Sequence, residues 1–202
     1  AKLERPEKLV LRVDRTDPSK NIVRGCLAFG LLLDEHPEWR GRAKLLAFLD
    51  PSRQAIAEYV EYLHAVEEAV REVNDRHPNA IQLRVADNFP QSVAAYKQFD
   101  VLLVNSVYDG LNLVAKEGPL VNERDGVLVL SENAGAHEEL GEWAVSVNPF
   151  DVKGQADALH EALSMDAGER RRRAVAIKAQ VRENDVSRWI AGQLADVDRV
   201  SA

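Results

Sequence analysis

Apolar runs of strand length recur along the chain at Leu9 to Val13, Lys44 to Leu49, Ile81 to Val85, Val101 to Val104, Val127 to Leu130 and Ala144 to Val147. Between them the apolar positions step by three or four, as they do along one face of a helix. Strands that alternate with helices build a parallel sheet covered on both faces, and strands buried on both sides read as short unbroken apolar runs. The pattern predicts an α/β fold: a parallel sheet of about six strands flanked by helices.

The helical segments have readable limits. From Asn21 to Glu35 a broad apolar face is formed by Ile22, Val23, Cys26, Leu27, Phe29, Leu31, Leu32 and Leu33. It stops at His36-Pro37, because a residue before proline avoids the helical region. Gln54 to Arg76 reads as a longer helix whose inner face is Ile56, Tyr59, Val60, Leu63, Val66, Val70 and Val73, with Glu58, Glu61, Glu67, Glu68 and Glu72 outward. Beyond Asp151, a plausible N-cap, the pattern stays helical to the end. Arg170 to Arg173 are expected to spread around a solvated helix surface. Trp189, Ile190, Leu194 and Val197 are spaced as on a terminal helix that docks on a neighbour.

Composition narrows the classes. With 202 residues the chain is long enough for one sizeable core, and we read a single domain. Its 26 basic and 33 acidic residues give a net charge of -7, which argues against a nucleic-acid groove. No apolar run reaches the length of a membrane span and no leader is recognised, so a cytoplasmic protein is expected. Cys26 is the single cysteine and reads as a packing residue. The chain opens with Ala1 and its only methionine is Met165, so a fragment is expected.

Two segments carry candidate chemistry, each directly after a strand-like run. Tyr108 to Glu117 offers an acidic turn at Asp109, a glycine at Gly110 and the start of a helix. Backbone amides at such a start cradle phosphate, and carboxylates such as Asp109 and Glu117 accept from sugar hydroxyls, a combination suited to a nucleotide sugar. Val13 to Asn21 carries Arg15 and Lys20, which together could neutralise a departing diphosphate. A surface ion pair of Arg15 with Asp14 or Asp17 accounts for the same charges equally well.

Other chemistries lack support. His36, His64, His77, His137 and His160 show no zinc-ligand spacing with Cys26, and no metal is predicted. Ser52, Ser106 and Ser131 lack the Gly-x-Ser-x-Gly elbow of acyl transfer. His137, after Ala134-Gly135-Ala136, would either line the same crevice or cap a helix.

Four blocks in order then amount to a resemblance: Val13 to Lys20, Asp109 to Glu117, Val127 to Ala136, and Val147 to Asp151. Together they resemble the trehalose-6-phosphate synthase family over most of the chain. In full-length members two Rossmann-like domains face each other across a cleft, the GT-B arrangement. Residues 1–202 look like the second, donor-binding domain with its helical C-terminus, and the acceptor domain is absent.

The resemblance implies retaining transfer of glucose from UDP- or GDP-glucose to glucose 6-phosphate, with no metal, no cofactor and no enzymic nucleophile. By position, Arg15 and Lys20 would hold the diphosphate and stabilise its departure, and Asp109 would bind glucose hydroxyls, these three forming the catalytic set. Backbone groups around Gly110, Asn112 and Leu113 would meet sugar and phosphate, Glu117 the ribose, and Arg53 the acceptor phosphate. The implied partners are the two substrates and the N-terminal half of the same enzyme, and the sequence leaves a homo-oligomer open.

Two departures bear on substrate. Asp87 to Gln91 lacks the basic residues usual beside the donor base, which leaves uridine and guanosine both open. Gly118 to Arg124 also resembles pseudo-glycosyltransferases that couple cyclitols through nitrogen. A different class stays open too: a nucleotide-sugar binding module inactive alone, because half a cleft cannot exclude water.

Overall fold

A computed structural model describes residues 5–201. Six parallel strands form one sheet: β1 (Lys8–Arg15), β2 (Ala43–Asp50), β3 (Ile81–Val85), β4 (Val101–Val104), β5 (Val127–Ser131) and β6 (Val145–Val147). The spatial order is β3-β2-β1-β4-β5-β6, the doubly wound order in which chain direction across the sheet reverses between β1 and β4. In register, Val10 lies opposite Leu45 in one neighbour and Val101 in the other.

The helices are α1 (Ile22–Glu35), α2 (Ala57–Arg76), α3 (Phe89–Tyr96), α4 (Val114–Val121), α5 (Ala136–Leu140), α6 (Val152–Ser164), α7 (Ala167–Glu183) and α8 (Val186–Ser201). Successive strand residues point to opposite faces, so the sheet feeds two cores. Val10, Leu45, Leu103 and Val129 pack with Ile22, Phe29, Val66 and Leu159 of α1, α2 and α6. Leu9, Leu11, Leu102 and Leu128 pack on the other side with Tyr96, Ala115, Leu140 and Ile177. The expected sheet and its flanking helices are present, with β3 and β4 at the limits read from the sequence.

Local chemistry sets the helix ends. The N–H of His36 donates to the Leu32 carbonyl, and Pro37 starts a 3-10 turn. The Asp151 carboxylate accepts from Gly154 N at 2.9 Å, as expected of an N-cap.

Three surface expectations are corrected. Only the C-terminal half of the α2 face is covered: Val66, Val70 and Val73 are buried, whereas Ile56 and Val60 are exposed. Apolar period marks a side of a helix and does not supply a partner for it. The α8 face is likewise largely uncovered, with Trp189 61% and Leu194 61% exposed. Arg170 and Arg173, in contrast, are half-buried. Arg170 donates to the carbonyls of Asp125 and Arg124, and Arg173 to that of Ala144, fixing α7 against the ends of the sheet. Bare carbonyls at strand entries are acceptors that a charge pattern alone does not reveal.

Candidate functional site

The reversal between β1 and β4 leaves a crevice beyond the C-terminal ends of those strands, where open α/β sheets bind ligands. Here it is a cleft of about 280 Å³ whose lining includes Arg15, Lys20, Asn112, Leu113 and Glu117, with Asp50 and Asp87 on the β2 and β3 side. The two sequence segments that carry candidate chemistry therefore share one crevice.

Several contacts join them. The Lys20 ammonium pairs with the Asp109 carboxylate, which also accepts from Asn112 Nδ2 at 3.0 Å. Val107 N donates to the Ser19 carbonyl at 2.8 Å. Asn112 adopts the left-handed region at φ 63°, and its Oδ1 accepts from Ala115 N in the first turn of α4. The amides of Leu111, Asn112, Leu113 and Val114 meet no acceptor among the described residues, so this stretch presents N–H groups at the start of a helix.

A third loop supports the second. Asp109 bridges to Ala134 as an isolated parallel pair, Gly135 N donates to the Asp109 carbonyl at 2.9 Å, and Ala136 N donates to that of Leu111 at 2.9 Å. The approach is so close that a Cβ on Gly135 would lie 2.0 Å from the Gly110 oxygen. Only glycine fits there.

Arg15 is exposed and has no carboxylate partner among the described residues. Asp14 pairs instead with Arg12, Nε to Oδ2 at 2.8 Å, and the Asp17 carboxylate accepts from the Ser19 amide and hydroxyl. Burial pushes the Asp17 carboxyl up, but those Ser19 bonds, with Arg15 and Lys20 near, bring it below its ordinary range. Burial, reinforced by the nearby Asp87 carboxylate, raises that of Asp50.

The family model for glycosyltransferase family 20 matches residues 1–199. The chain belongs to glycosyltransferase family 20. It is 41% identical to a bifunctional trehalose-6-phosphate synthase/phosphatase of Thermoproteus tenax over 90% of this chain and 26% of that protein. It is 35% identical to the validamine 7-phosphate valienyltransferase of Streptomyces hygroscopicus subsp. jinggangensis, over 93% of this chain and 37% of the other. Its fold superposes with a TM-score of 0.91 on a crystal structure of an α,α-trehalose-phosphate synthase (UDP-forming) from Burkholderia xenovorans in complex with glucose 6-phosphate, at 34% identity. That alignment covers 95% of this chain and 44% of the other, so this family 20 chain spans less than half the length of the relatives it matches.

Within this family 20 domain the cleft gathers Arg15, Lys20, Asn112, Leu113 and Glu117, with Asp109 and Gly110 in the loop beside them. Arg53 does not line it. Held at φ 46°, it donates from Nη1 to the Tyr59 hydroxyl at 2.6 Å, and that hydroxyl donates to Asp17 at 3.4 Å. Arg53 is thus outside the lining and joined to the β1 loop through Tyr59. His137 neither lines the cleft nor caps a helix through its ring, which pairs with Ser146 Oγ at 2.8 Å. Its place on α5 turns it toward β6. No helix of the described residues is long and apolar enough to cross a membrane.

Sequence reasoning missed the support beneath the loops: Arg12, Asn21, Asn105, Gln155 and Gly135. Arg12 alone left a signal, as a charge inside the apolar β1 run.

Proposed function

We propose that residues 1–202 are the donor-binding half of a retaining hexosyltransferase that moves glucose from UDP- or GDP-glucose to glucose 6-phosphate. The observation that carries this reading is the shared cleft, in which Arg15 and the Asp109-paired Lys20 from the β1 loop face unpaired amides and acids from the β4 loop. Arg15 and Lys20 bind the diphosphate. As the anomeric bond breaks, charge grows on the departing phosphate oxygen, and fixed cations there lower the barrier. Asp109 and the amides from Gly110 to Val114 hold the sugar and phosphate, Glu117 takes the ribose hydroxyls, and Arg53, outside the cleft lining, meets the acceptor phosphate. The acceptor half is a separate domain, and this chain alone binds donor without turnover.

A valienyl-type transfer is the second reading. The 35% identity to the valienyltransferase and the Gly118 to Arg124 block favour it.

Thermal shifts with UDP, GDP and ADP test the donor role, since a ligand held only by the native state raises stability. UDP or GDP should raise the melting temperature and ADP should do so less. No shift with any of the three would overturn the proposal. Product analysis with the acceptor half restored distinguishes a sugar from a cyclitol product.

A further inference from the structure

Arg12 sits in the middle of β1 with no exposed surface, among the largest fully buried side chains of the domain. A buried cation is costly unless paired and hydrogen-bonded. Its partners are specific: Nε donates to Asp14 Oδ2 at 2.8 Å and Nη2 donates to the Lys20 carbonyl at 2.7 Å. Space for the guanidinium comes from α1, where a Cβ on Gly25 would lie 2.4 Å from Arg12 Nη1. A buried ion pair could serve folding alone. What separates this one is where its bonds end, on a residue of the cleft lining and on the backbone of Lys20.

The next residue fixes that backbone from the other side. Asn21 is left-handed at φ 57°, and its Nδ2 donates to the carbonyls of Asn105 at 2.9 Å and Pro149 at 2.6 Å. Asn105 returns a bond to the Asn21 carbonyl at 3.2 Å and donates to Gln155 Oε1 at 2.7 Å. The Lys20 backbone is therefore tied to the middle of β1, to the residue after β4 and to the loop after β6.

We propose that Arg12 is a positioning residue for the diphosphate subsite, holding the Lys20 backbone from beneath and neutralising the Asp14 carboxylate so that the cleft floor does not repel an anion. The proposal rests on the donor reading above. Without Arg12, Lys20 loses its anchor and Asp14 loses the guanidinium bonded to it.

Calorimetry of this chain with UDP and GDP, and with uridine and guanosine as phosphate-free controls, tests the role. Arg12→Met should weaken the diphosphate on the order of tenfold and leave the nucleoside unchanged, whereas in a Lys20→Ala background the same substitution should change affinity less than about twofold, because both act at one point. If Arg12→Met fails to fold, Arg12→Met/Asp14→Asn removes both charges, a change often neutral to stability. Gly25→Ala, which displaces the guanidinium, then serves as the second variant. Gly25→Ala should show the same selective loss, and the double variant, which also removes the Asp14 charge, a smaller loss of the same selectivity. Equal affinity in the folded variants, or a loss that is undiminished in the Lys20→Ala background, would overturn the proposal. A wild-type chain that binds neither diphosphate would overturn the donor reading itself, and this role with it.

Discussion

Lys20 and Asp109, 89 positions apart, pair across the mouth of the cleft, so the cation at the end of β1 is neutralised by the acid at the end of β4. Both side chains are mostly buried. The pair joins the two loops, and under the proposed donor role a diphosphate would compete with Asp109 for the ammonium.

That competition gives a signed prediction. Asp109→Asn should strengthen binding of free UDP or GDP by about threefold to fivefold, the range of a modest ion pair. The same change should weaken the sugar nucleotide relative to the diphosphate, because the carboxylate that accepts from glucose hydroxyls is gone. Calorimetry with UDP and UDP-glucose, or the guanosine pair, measures both. Weaker binding of the free diphosphate would contradict the competition.

Glu117 lies in the first turn of α4, exposed and lining the cleft. A carboxylate that accepts from ribose hydroxyls distinguishes a ribonucleotide from its 2′-deoxy form. Glu117→Gln should lower affinity for the ribonucleotide on the order of tenfold, the scale of a hydrogen bond to a charged group, and narrow the preference over the deoxy form. An unchanged preference would remove Glu117 from that role.

Gly135 has its consequence in the neighbouring loop. Alanine there would drive a Cβ into the Gly110 carbonyl, a backbone atom that cannot swing away. Gly135→Ala should cost about 1–3 kcal/mol of stability, as overpacking does, and should reduce sugar-nucleotide binding by moving Asp109 to Leu111. Gly110→Ala is the control, because a Cβ at Gly110 meets nothing within 4 Å. Melting curves and calorimetry on both variants decide it. Similar losses in the two would show that the loop tolerates no side chain anywhere, not a specific Gly135 approach.

These features differ in how visible they were. Val101–Val104 could be read directly because both faces of the strand are covered and the apolar run is unbroken, and Ile81–Val85, an edge strand, because Ile81, Leu83 and Val85 alternate with Gln82 and the exposed Arg84. Arg15, Lys20 and the 109 to 117 segment were visible because polar residues directly follow a strand, where a ligand crevice lies. Gly135 was not, since its constraint comes from the Gly110 carbonyl 25 residues earlier and nothing local records that approach. Asn21 and Asn105 look like ordinary loop polars until the fold brings them together. Trp189 and Ile190 show the opposite error: their spacing correctly gives a helix, yet a period carries no information on what covers the face.

Cys26 has no exposed surface in α1, and burial pushes its thiol up to about 11. The thiolate is the reactive species, so the native side chain lacks both access and charge. At pH 8 a thiol reagent such as 5,5′-dithiobis(2-nitrobenzoate) should leave the folded chain unlabelled and react with one equivalent once denaturant unfolds it. Rapid native labelling would mean that α1 opens from the sheet far more readily than its packing suggests.

Glu169 stands at the start of α7 between two arginines, accepting from Arg172 Nε at 2.7 Å and from Arg173 Nε at 2.6 Å. Those hydrogen bonds, with the coulombic pull of the same two cations, lower its pKa from 4.5 to about 2. A carboxyl depressed in the folded state binds its proton more tightly once unfolded. Its contribution is therefore complete above about pH 4.5 and disappears as the pH falls toward 2. Glu169→Gln keeps the shape and removes the titration. Wild type should be the more stable of the two at pH 7, and denaturant midpoints should converge as the pH is lowered from 4.5 toward 2. The effect should also shrink in high salt, because the cluster lies at the surface. A gap between the two proteins that stays constant down to pH 2 would show that the clamp at the head of α7 does not depend on the Glu169 charge.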